Sequence, residues 1–368
     1  MEKDIPYSFA IYQLYIQFLM IKKYILPLLV LLTSIQSCES MINLGDDDLG
    51  NVLIMNAQMC STDTDHIVWL SLSNGETISP VEKAVVSCYV NGRLVCVSDT
   101  AADFREIPFF AAGDASFGVS GYPIQARFAA GDQIRIVAES GEQHCEAQTV
   151  VPLAPLILSA AATPCTSSAD LSQGNYRFMV TVRDLKDEYN YFYLRLLNQS
   201  SIIVEKSNRS DIHPGDVLFG MNEIVPINTT GEPLLNSGDR TLGSLGDSSS
   251  SFFNNKENLF TDVLFRNGDY SLHFYTKERF MLKPREMVTG DVFVAYNKAI
   301  IRLFAITREE YLYLTGYQFI HSLESGTYLT DEYIFSSNVN GGLGFVAVNS
   351  AADYEIDLSS YRYDADSY

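Results

Sequence analysis

Short runs that alternate apolar with polar residues, each closed by Gly, Pro, Asn or Asp, recur along nearly the whole chain. A period of two is the mark of strands with one buried face. In the first half the runs are Asn51–Met59, His66–Leu72, Ala84–Val90, Arg93–Val97, Ile134–Ala138 and Cys145–Val150. Spacing of this kind predicts a β-sandwich over residues 51–153. Asn91-Gly92 predicts a two-residue type I′ hairpin turn. That turn opposes Val90 to Arg93, Cys88 to Val95 and Cys96 to Ser87, so the two thiols should point to opposite sheet faces. Pro152 and Pro155 mark a boundary, beyond which residues 154–368 read as a second β-rich domain. Its strand runs are Tyr176–Val182, Tyr189–Leu196, Tyr270–Tyr275, Asp291–Tyr296 and Ala299–Ile306. The polar stretch Ser207–Asn258 reads as a long loop, functional or mobile, and the least ordered part of the domain.

One segment breaks the period. Thr307 and Glu310 have capping-box spacing, Leu312, Gly316, Phe319 and Leu323 recur at helical intervals, and Gly326 is a stop. A helix near 307–324 is expected, docked on the second β unit through that stripe.

The N-terminus has the grammar of an export signal. Met20-Ile-Lys22-Lys23 precedes the apolar stretch Tyr24–Ile35, which leads into Ile35-Gln36-Ser37-Cys38. These four residues resemble a bacterial lipobox, with Gln36 as a departure. Residues 1–37 therefore read as an upstream extension plus a lipoprotein signal peptide that starts at Met20. The stretch is short of the ~20 apolar residues a membrane span requires. Cys38 is the expected lipid-attachment site: its thiol takes a diacylglyceryl group and the new amino terminus is acylated. Several chains at ~0.8 kcal/mol per buried methylene give stable anchoring. Residues 38–50 form an acidic tether carrying Asp46-Asp47-Asp48. It resembles signals that send some lipoproteins to the cell surface, and a solvated linker explains the charge pattern equally well.

Lys plus Arg number 25 against 45 Asp plus Glu, a formal net charge of -20. So negative a surface excludes phosphate-driven nucleic-acid binding. An apolar fraction of 47% excludes a disordered chain. With Cys38 consumed by lipid, Cys60, Cys88, Cys96, Cys145 and Cys165 remain, with no CxxC spacing and no pairing fixed by the sequence. There is no GxSxG, GK[ST], HExxH or EF-hand pattern. No two of His66, His144, His213, His273 and His321 lie within four residues of one another. Gly341-Gly342-Leu343-Gly344 lacks the strand–turn–helix setting of a nucleotide loop and reads as a tight turn before the strand Phe345–Val348. The sequence thus assigns no catalytic residue, metal ligand or cofactor, and leaves ligand-binding residues unknown.

Several stretches carry a family resemblance. Asn258-Leu-Phe-Thr-Asp262-Val-Leu-Phe265-Arg-Asn-Gly268-Asp-Tyr270 is one. Leu303-Phe-Ala-Ile306 with Glu310-Tyr311-Leu-Tyr313-Leu314 is another, and Ser337-Asn338-Val-Asn-Gly341-Gly342-Leu343-Gly344-Phe345 a third. Val182-Arg-Asp184 followed by Asn190-Tyr191-Phe192 is a fourth. Together these resemble the Bacteroidota lipoproteins filed as domain of unknown function 4249 (DUF4249). Val81–Val86 and Ala130–Ile134 are similar to the family's immunoglobulin-like part. Tyr333 departs from the family's usual Pro. The resemblance implies an immunoglobulin-like first unit and a lipid-anchored outer-membrane protein. It also implies a TonB-dependent transporter as partner in ligand capture. The leading expectation is a non-enzymatic binding or accessory protein without a cofactor. The alternative is a structural or adhesive surface lipoprotein, and a hydrolase with a dispersed site comes third.

Overall fold

The computed structural model describes residues 51–365 except 75–76, 103–118, 185–188, 237–254, 256, 281, 285–286, 324–335 and 359, and the side chains of 319–323 are likewise not described. Cys38, the signal segment and the tether lie outside the described residues. Gly50–Tyr368 forms one compact unit.

The chain is mainly β. First come β1 (Val52–Cys60), β2 (Asp65–Ser73), β3 (Ile78–Pro80), β4 (Val85–Val90), β5 (Arg93–Ser98), β6 (Ser120–Gln125), β7 (Gln133–Ser140) and β8 (Gln143–Val150). Then follow β9 (Leu156–Pro164), α1 (Ser168–Gln173), β10 (Tyr176–Arg183), β11 (Tyr191–Lys206), β12 (Val217–Val225), α2 (Pro233–Asn236) and β13 (Leu259–Thr261). Next are β14 (Asp269–Thr276), β15 (Val292–Tyr296), β16 (Lys298–Ile306) and α3 (Arg308–Leu323). The chain closes on β17 (Val339–Asn340), β18 (Leu343–Asp357) and β19 (Tyr361–Asp364).

An eleven-stranded sheet runs β19-β15-β11-β16-β18-β1-β2-β3, with β12 and β13 also on β11 and β6 on β2. A five-stranded sheet, β17-β8-β7-β4-β5, faces its β1–β2–β6 end. A three-stranded sheet, β14-β10-β9, covers its β11–β16 end. The alternating runs explain both contacts, since each strand turns one face inward. Leu53, Met55, Leu70 and Ile124 meet Val86, Ile136 and Ala147 in the first core. Phe178 and Phe274, stacked with centroids 5.4 Å apart, meet Leu194 and Leu303 in the second.

The strand β18 joins the two regions. Its first part pairs β1 in parallel, from Ile54↔Leu343 to Cys60↔Asn349. Its second part pairs β16 antiparallel, from Ala305↔Ser350 to Lys298↔Asp357. Val339, Val346 and Val348 are buried in the first core, far along the chain beyond the proline boundary read from the sequence. The ranges 51–153 and 154–368 follow the chain, while the layers do not.

Three expectations are corrected. The Asn91-Gly92 turn has the expected left-handed pair, φ 51° and 78°, and Val90 opposes Arg93. A bulge then shifts the register, so that Cys88 faces Cys96 rather than Val95. Helix α3 begins as predicted, with the Glu310 amide donating to Thr307 Oγ1 at 3.2 Å. Of the predicted stripe Leu312 departs, at 37% exposed, whereas Glu310 and Tyr311 are buried and Leu314 packs on the cluster that holds Tyr311. Gly316 is buried, and the side chains of Phe319 and Leu323, like Gly326, lie outside the described residues. The inner side thus includes a buried carboxylate, Glu310, which apolar spacing alone does not select. Finally, Ser207–Asn258 contains strand β12 and helix α2, whose Leu234 and Leu235 are buried. The rest of that stretch includes 237–254, outside the described residues.

Candidate functional site

The residues singled out in the sequence gather at three places in the fold. At the first, Asn190 bridges two buried acids. Its Nδ2 donates to Asp184 Oδ1 at 2.8 Å and to Asp262 Oδ2 at 3.0 Å, and its backbone N–H donates to Asp262 Oδ2 at 2.9 Å. The Asn267 amide donates to Asp184 Oδ2 at 2.7 Å. Burial pushes the Asp262 carboxyl up and the Asp184 charge adds to the rise, against hydrogen bonds from Asn190 that lower it. Four chain segments are tied at this point: the end of β10, the start of β11, the turn after β13 and the turn before β14.

At the second place, Glu310 enters the joint between β1 and β18. Gln58 Nε2 and Asn349 Nδ2 both donate to its Oε1, at 3.0 and 3.2 Å. The side chain is wholly buried, and burial pushes its carboxyl up to about 7. Glu310 Oε2 and Asn349 Oδ1 are buried without a hydrogen-bond partner. The capping box is thus half made: the backbone bond is present, and the carboxylate serves the sheets instead of the helix start.

At the third, Ser337 Oγ donates to the Gly344 carbonyl at 2.8 Å. Asn338 clamps Val346 through both its amide atoms, at 2.7 and 2.9 Å. A Cβ on Gly342 would strike the Leu53 carbonyl, and one on Gly344, at φ 113°, the Met55 carbonyl. The glycine-rich stretch is a close crossing of β18 onto β1, as the turn reading expected, and it holds backbone rather than phosphate.

Three histidines have separate surroundings. His66 is buried against Phe128, and burial lowers its pKa. His144 lies 3.5 Å from Glu139, and His273 4.0 Å from Glu232. Among the described residues no group of three or more His, Cys, Asp or Glu could hold a metal ion. Glu232 escaped sequence reading: it is buried, accepts from Tyr270 Oη at 2.9 Å and from the His273 amide at 2.8 Å, and sits in a polar stretch with no period to reveal it.

Two openings stand out among the described residues. The larger, about 710 Å³, lies where β11, β12 and the β15–β16 hairpin meet. Gln199, Ser201, Asn222 and Tyr296 line it, with Lys298 and Asp357 at its rim. Tyr296 is 50% exposed, and Lys298 Nζ is held by Glu355 at 2.6 Å. The floor is fixed from below by the buried pair Asn198–Ser200, bonded at 2.5 Å. The smaller, about 360 Å³, lies between the Val150–Pro155 connection and β11–β16, with Tyr189, Tyr191, Arg183 and Arg308 on its walls. Arg183 is forked onto Asp269 at 2.7 and 2.9 Å. Sequence periodicity placed Tyr296 in a strand and carried no signal that its ring stands open beside amides from two other strands.

The family model described as "Domain of unknown function (DUF4249)" matches residues 41–355. The chain belongs to this family. Within that span the four stretches that carried the resemblance help to knit the fold together: Asp184, Asn190, Asp262, Glu310, Asn338 and Gly344 all contact their own chain, while Asp262 Oδ1 and Glu310 Oε2 are buried without a hydrogen-bond partner. No curated protein matches the sequence. Among solved structures, the chain is similar at 8% identity to a Parabacteroides merdae β-glucuronidase, covering 69% of this chain and 23% of that one, with a TM-score of 0.18. An E. coli α-2-macroglobulin aligns at 8% identity over 86% of this chain and 17% of its own, with a TM-score of 0.16. A biofilm-associated protein BSP domain aligns at 6% identity over 83% and 59%, with a TM-score of 0.15. Scores this low carry no argument about this DUF4249 chain. No helix among its described residues is long and apolar enough to cross a membrane.

Proposed function

We propose that this protein is a lipid-anchored, surface-exposed outer-membrane lipoprotein of Bacteroidota that binds rather than transforms its ligand. In this reading it works beside a TonB-dependent transporter as an accessory in ligand capture, and its first two-layer unit is immunoglobulin-like. The observation that carries the binding reading is the 710 Å³ cleft. Its size suits a small-molecule or short oligomeric ligand. Its walls offer amides, hydroxyls and one open aromatic ring, a set suited to holding a neutral polar molecule. Lys298, the cation at the rim, is held by Glu355. The lipobox-like Ile35-Gln36-Ser37-Cys38 supports the anchor.

The test has two arms. Pull-down of the native lipoprotein from membranes should recover a TonB-dependent channel, and its consistent absence counts against the partnership. Cys38→Ala should release the protein from the membrane pellet on fractionation, and retention would defeat the anchor. Turnover by the purified full chain in an activity screen would overrule the non-enzymatic reading.

One observation favours a second reading, a structural or adhesive surface protein. Leu94, Val95 and Val97 stand 44–51% exposed on the edge strand β5, a surface prone to contact other chains. It predicts normal growth of a deletion strain on every substrate tested, with altered attachment.

A further inference from the structure

We propose that Cys88 and Cys96 form a cross-strand disulfide on oxidation, a covalent clasp on the β4–β5 hairpin. An undisturbed hairpin would send the two thiols to opposite faces. The bulge between Cys88 and Tyr89 removes that obstacle by inserting Val95 as the extra residue, which brings Cys96 directly opposite Cys88. The alternation beyond the bulge agrees. Val86 and Cys88 on β4 and Ser98 on β5 are buried, Cys96 packs against the same core as Cys88, and Val95 and Val97 point out. Residues directly opposed in an antiparallel pair have Cα atoms about 4.5–5.5 Å apart, inside the range of about 4.4–6.8 Å that a disulfide spans. Electrostatic coupling between the two thiols, one of the causes that raise the Cys88 pKa, fits that proximity.

The order of attack follows from exposure. Cys88 is fully buried, and burial pushes its thiol up to about 12, which leaves almost no thiolate at neutral pH. Cys96 is partly exposed. The Cys96 thiolate attacks a disulfide donor, a small-molecule disulfide or a thiol–disulfide oxidoreductase, and expels one thiol. The Cys88 sulfur, giving up its proton, then attacks the Cys96 sulfur of the mixed disulfide and expels the second thiol. Two S–H bonds are lost, one S–S bond forms, and the donor disulfide is reduced to two thiols. The other cysteines lack such an arrangement. Cys145 lies on β8, with β7 between it and β4. Cys60 Sγ is 3.1 Å from Thr62 Oγ1. The clasp pins the register of an edge strand that carries exposed apolar side chains, where slippage invites association with other chains.

The sequence makes the test direct. Trypsin cuts after Lys83, Arg93 and Arg105, which places Cys88 and Cys96 on separate, adjacent peptides. The folded full chain, extracted in detergent, is incubated with oxidised glutathione. It is then alkylated under denaturing conditions and digested without reductant. The expected result is loss of both alkylated peptides and appearance of a linked 84–93 plus 94–105 species that reduction abolishes. Full alkylation of both cysteines after oxidation overturns the proposal, as does a linked peptide that joins Cys88 to Cys145. Cys96→Ser tests specificity: the linked species should vanish while Cys88 becomes fully alkylated on unfolding. Persistent loss of the Cys88 peptide in that variant would show unspecific oxidation and overturn the clasp. The wild-type map decides the matter even where that variant fails to fold.

Discussion

The two cores of this protein are assembled differently. The core between β1–β2–β6 and the five-stranded sheet is mostly aliphatic and takes strands from both ends of the chain: Leu53 and Met55 arrive first, Val346 and Val348 almost last. The core beneath the three-stranded sheet is aromatic, and its fully buried rings Phe178, Phe260, Phe274 and Phe280 come from the middle of the sequence. The second can gather as soon as its own strands exist. The first waits for β18, and contacts of such long separation form slowly. The difference teaches that the first unit is closed by a part that belongs, by sequence, to the second.

The largest expected effect comes from blocking that closure. Gly344→Val adds a Cβ that strikes the Met55 carbonyl and forces a branched residue to φ 113°. Backbone strain of about 1–3 kcal/mol and overpacking of similar size put the loss on the order of 2–6 kcal/mol. Trp69, the lone tryptophan, lies on β2 beside the closed core. Its fluorescence in urea should show an early transition in the variant, and an unmoved midpoint would mean that β18 does not hold the first core. Phe178→Ala attacks the other side. The ring is fully buried between Phe274 and Phe280, so about 3–5 kcal/mol should be lost. Matching shifts in Trp69 fluorescence and far-UV circular dichroism would show that the cores unfold together. A shift confined to circular dichroism would show that they are separable.

Glu310 sharpens the comparison because it stands at the joint itself. Its carboxyl titrates at about 7 in the fold and at about 4.3 in an unfolded chain. The folded state therefore holds the proton more tightly. Stability is full below pH ~4.3 and is lost as pH rises through about 7, by about 3–4 kcal/mol. Glu310→Gln keeps a neutral side chain in the same space, so its unfolding free energy should be flat across that window and exceed wild type at pH 8. Parallel pH profiles for the two proteins would place the dependence elsewhere.

The sequence could disclose what depends on period and not what depends on encounter. Strand runs such as His66–Leu72 and Tyr176–Val182 lie inside β2 and β10, because a half-buried strand writes its alternation locally. The I′ turn at Asn91-Gly92 was equally legible. The bulge at Val95 was not, since nothing in Arg93-Leu-Val-Cys-Val97 separates a bulged strand from a regular one. Apolar spacing selected Leu312 for the inner side of α3. The structure instead buries Glu310, whose partners Gln58 and Asn349 are supplied by strands from the two ends of the chain. The candidate cleft was hidden for the same reason: Gln199, Asn222 and Tyr296 meet only when β11, β12 and β15 share one sheet. Asp184, Asn190 and Asp262 could be picked out by resemblance, yet their role in tying turns is a matter of geometry.

The smallest effect lies beyond the joint, where β18 leaves the first core and runs along β16. There Arg302 and Asp353 are directly opposed and doubly bonded, at 2.7 and 2.6 Å. The geometry is that of a strong pair, and the Arg302 pKa is raised by hydrogen bonding to Asp353. Each side chain is nevertheless more than a third exposed, 39% and 38%. Water and salt screen the attraction, and holding two long side chains costs rotamer freedom. A double-mutant cycle with Arg302→Ala and Asp353→Ala should yield a coupling of about 0.5–1 kcal/mol, falling as salt is raised. A coupling as large as the stability loss expected for Gly344→Val would mean that cross-strand charges, rather than the glycine crossing, fasten β18. A coupling of zero would leave the β16–β18 ladder to its backbone bonds and to Leu303 and Ile301 beneath it.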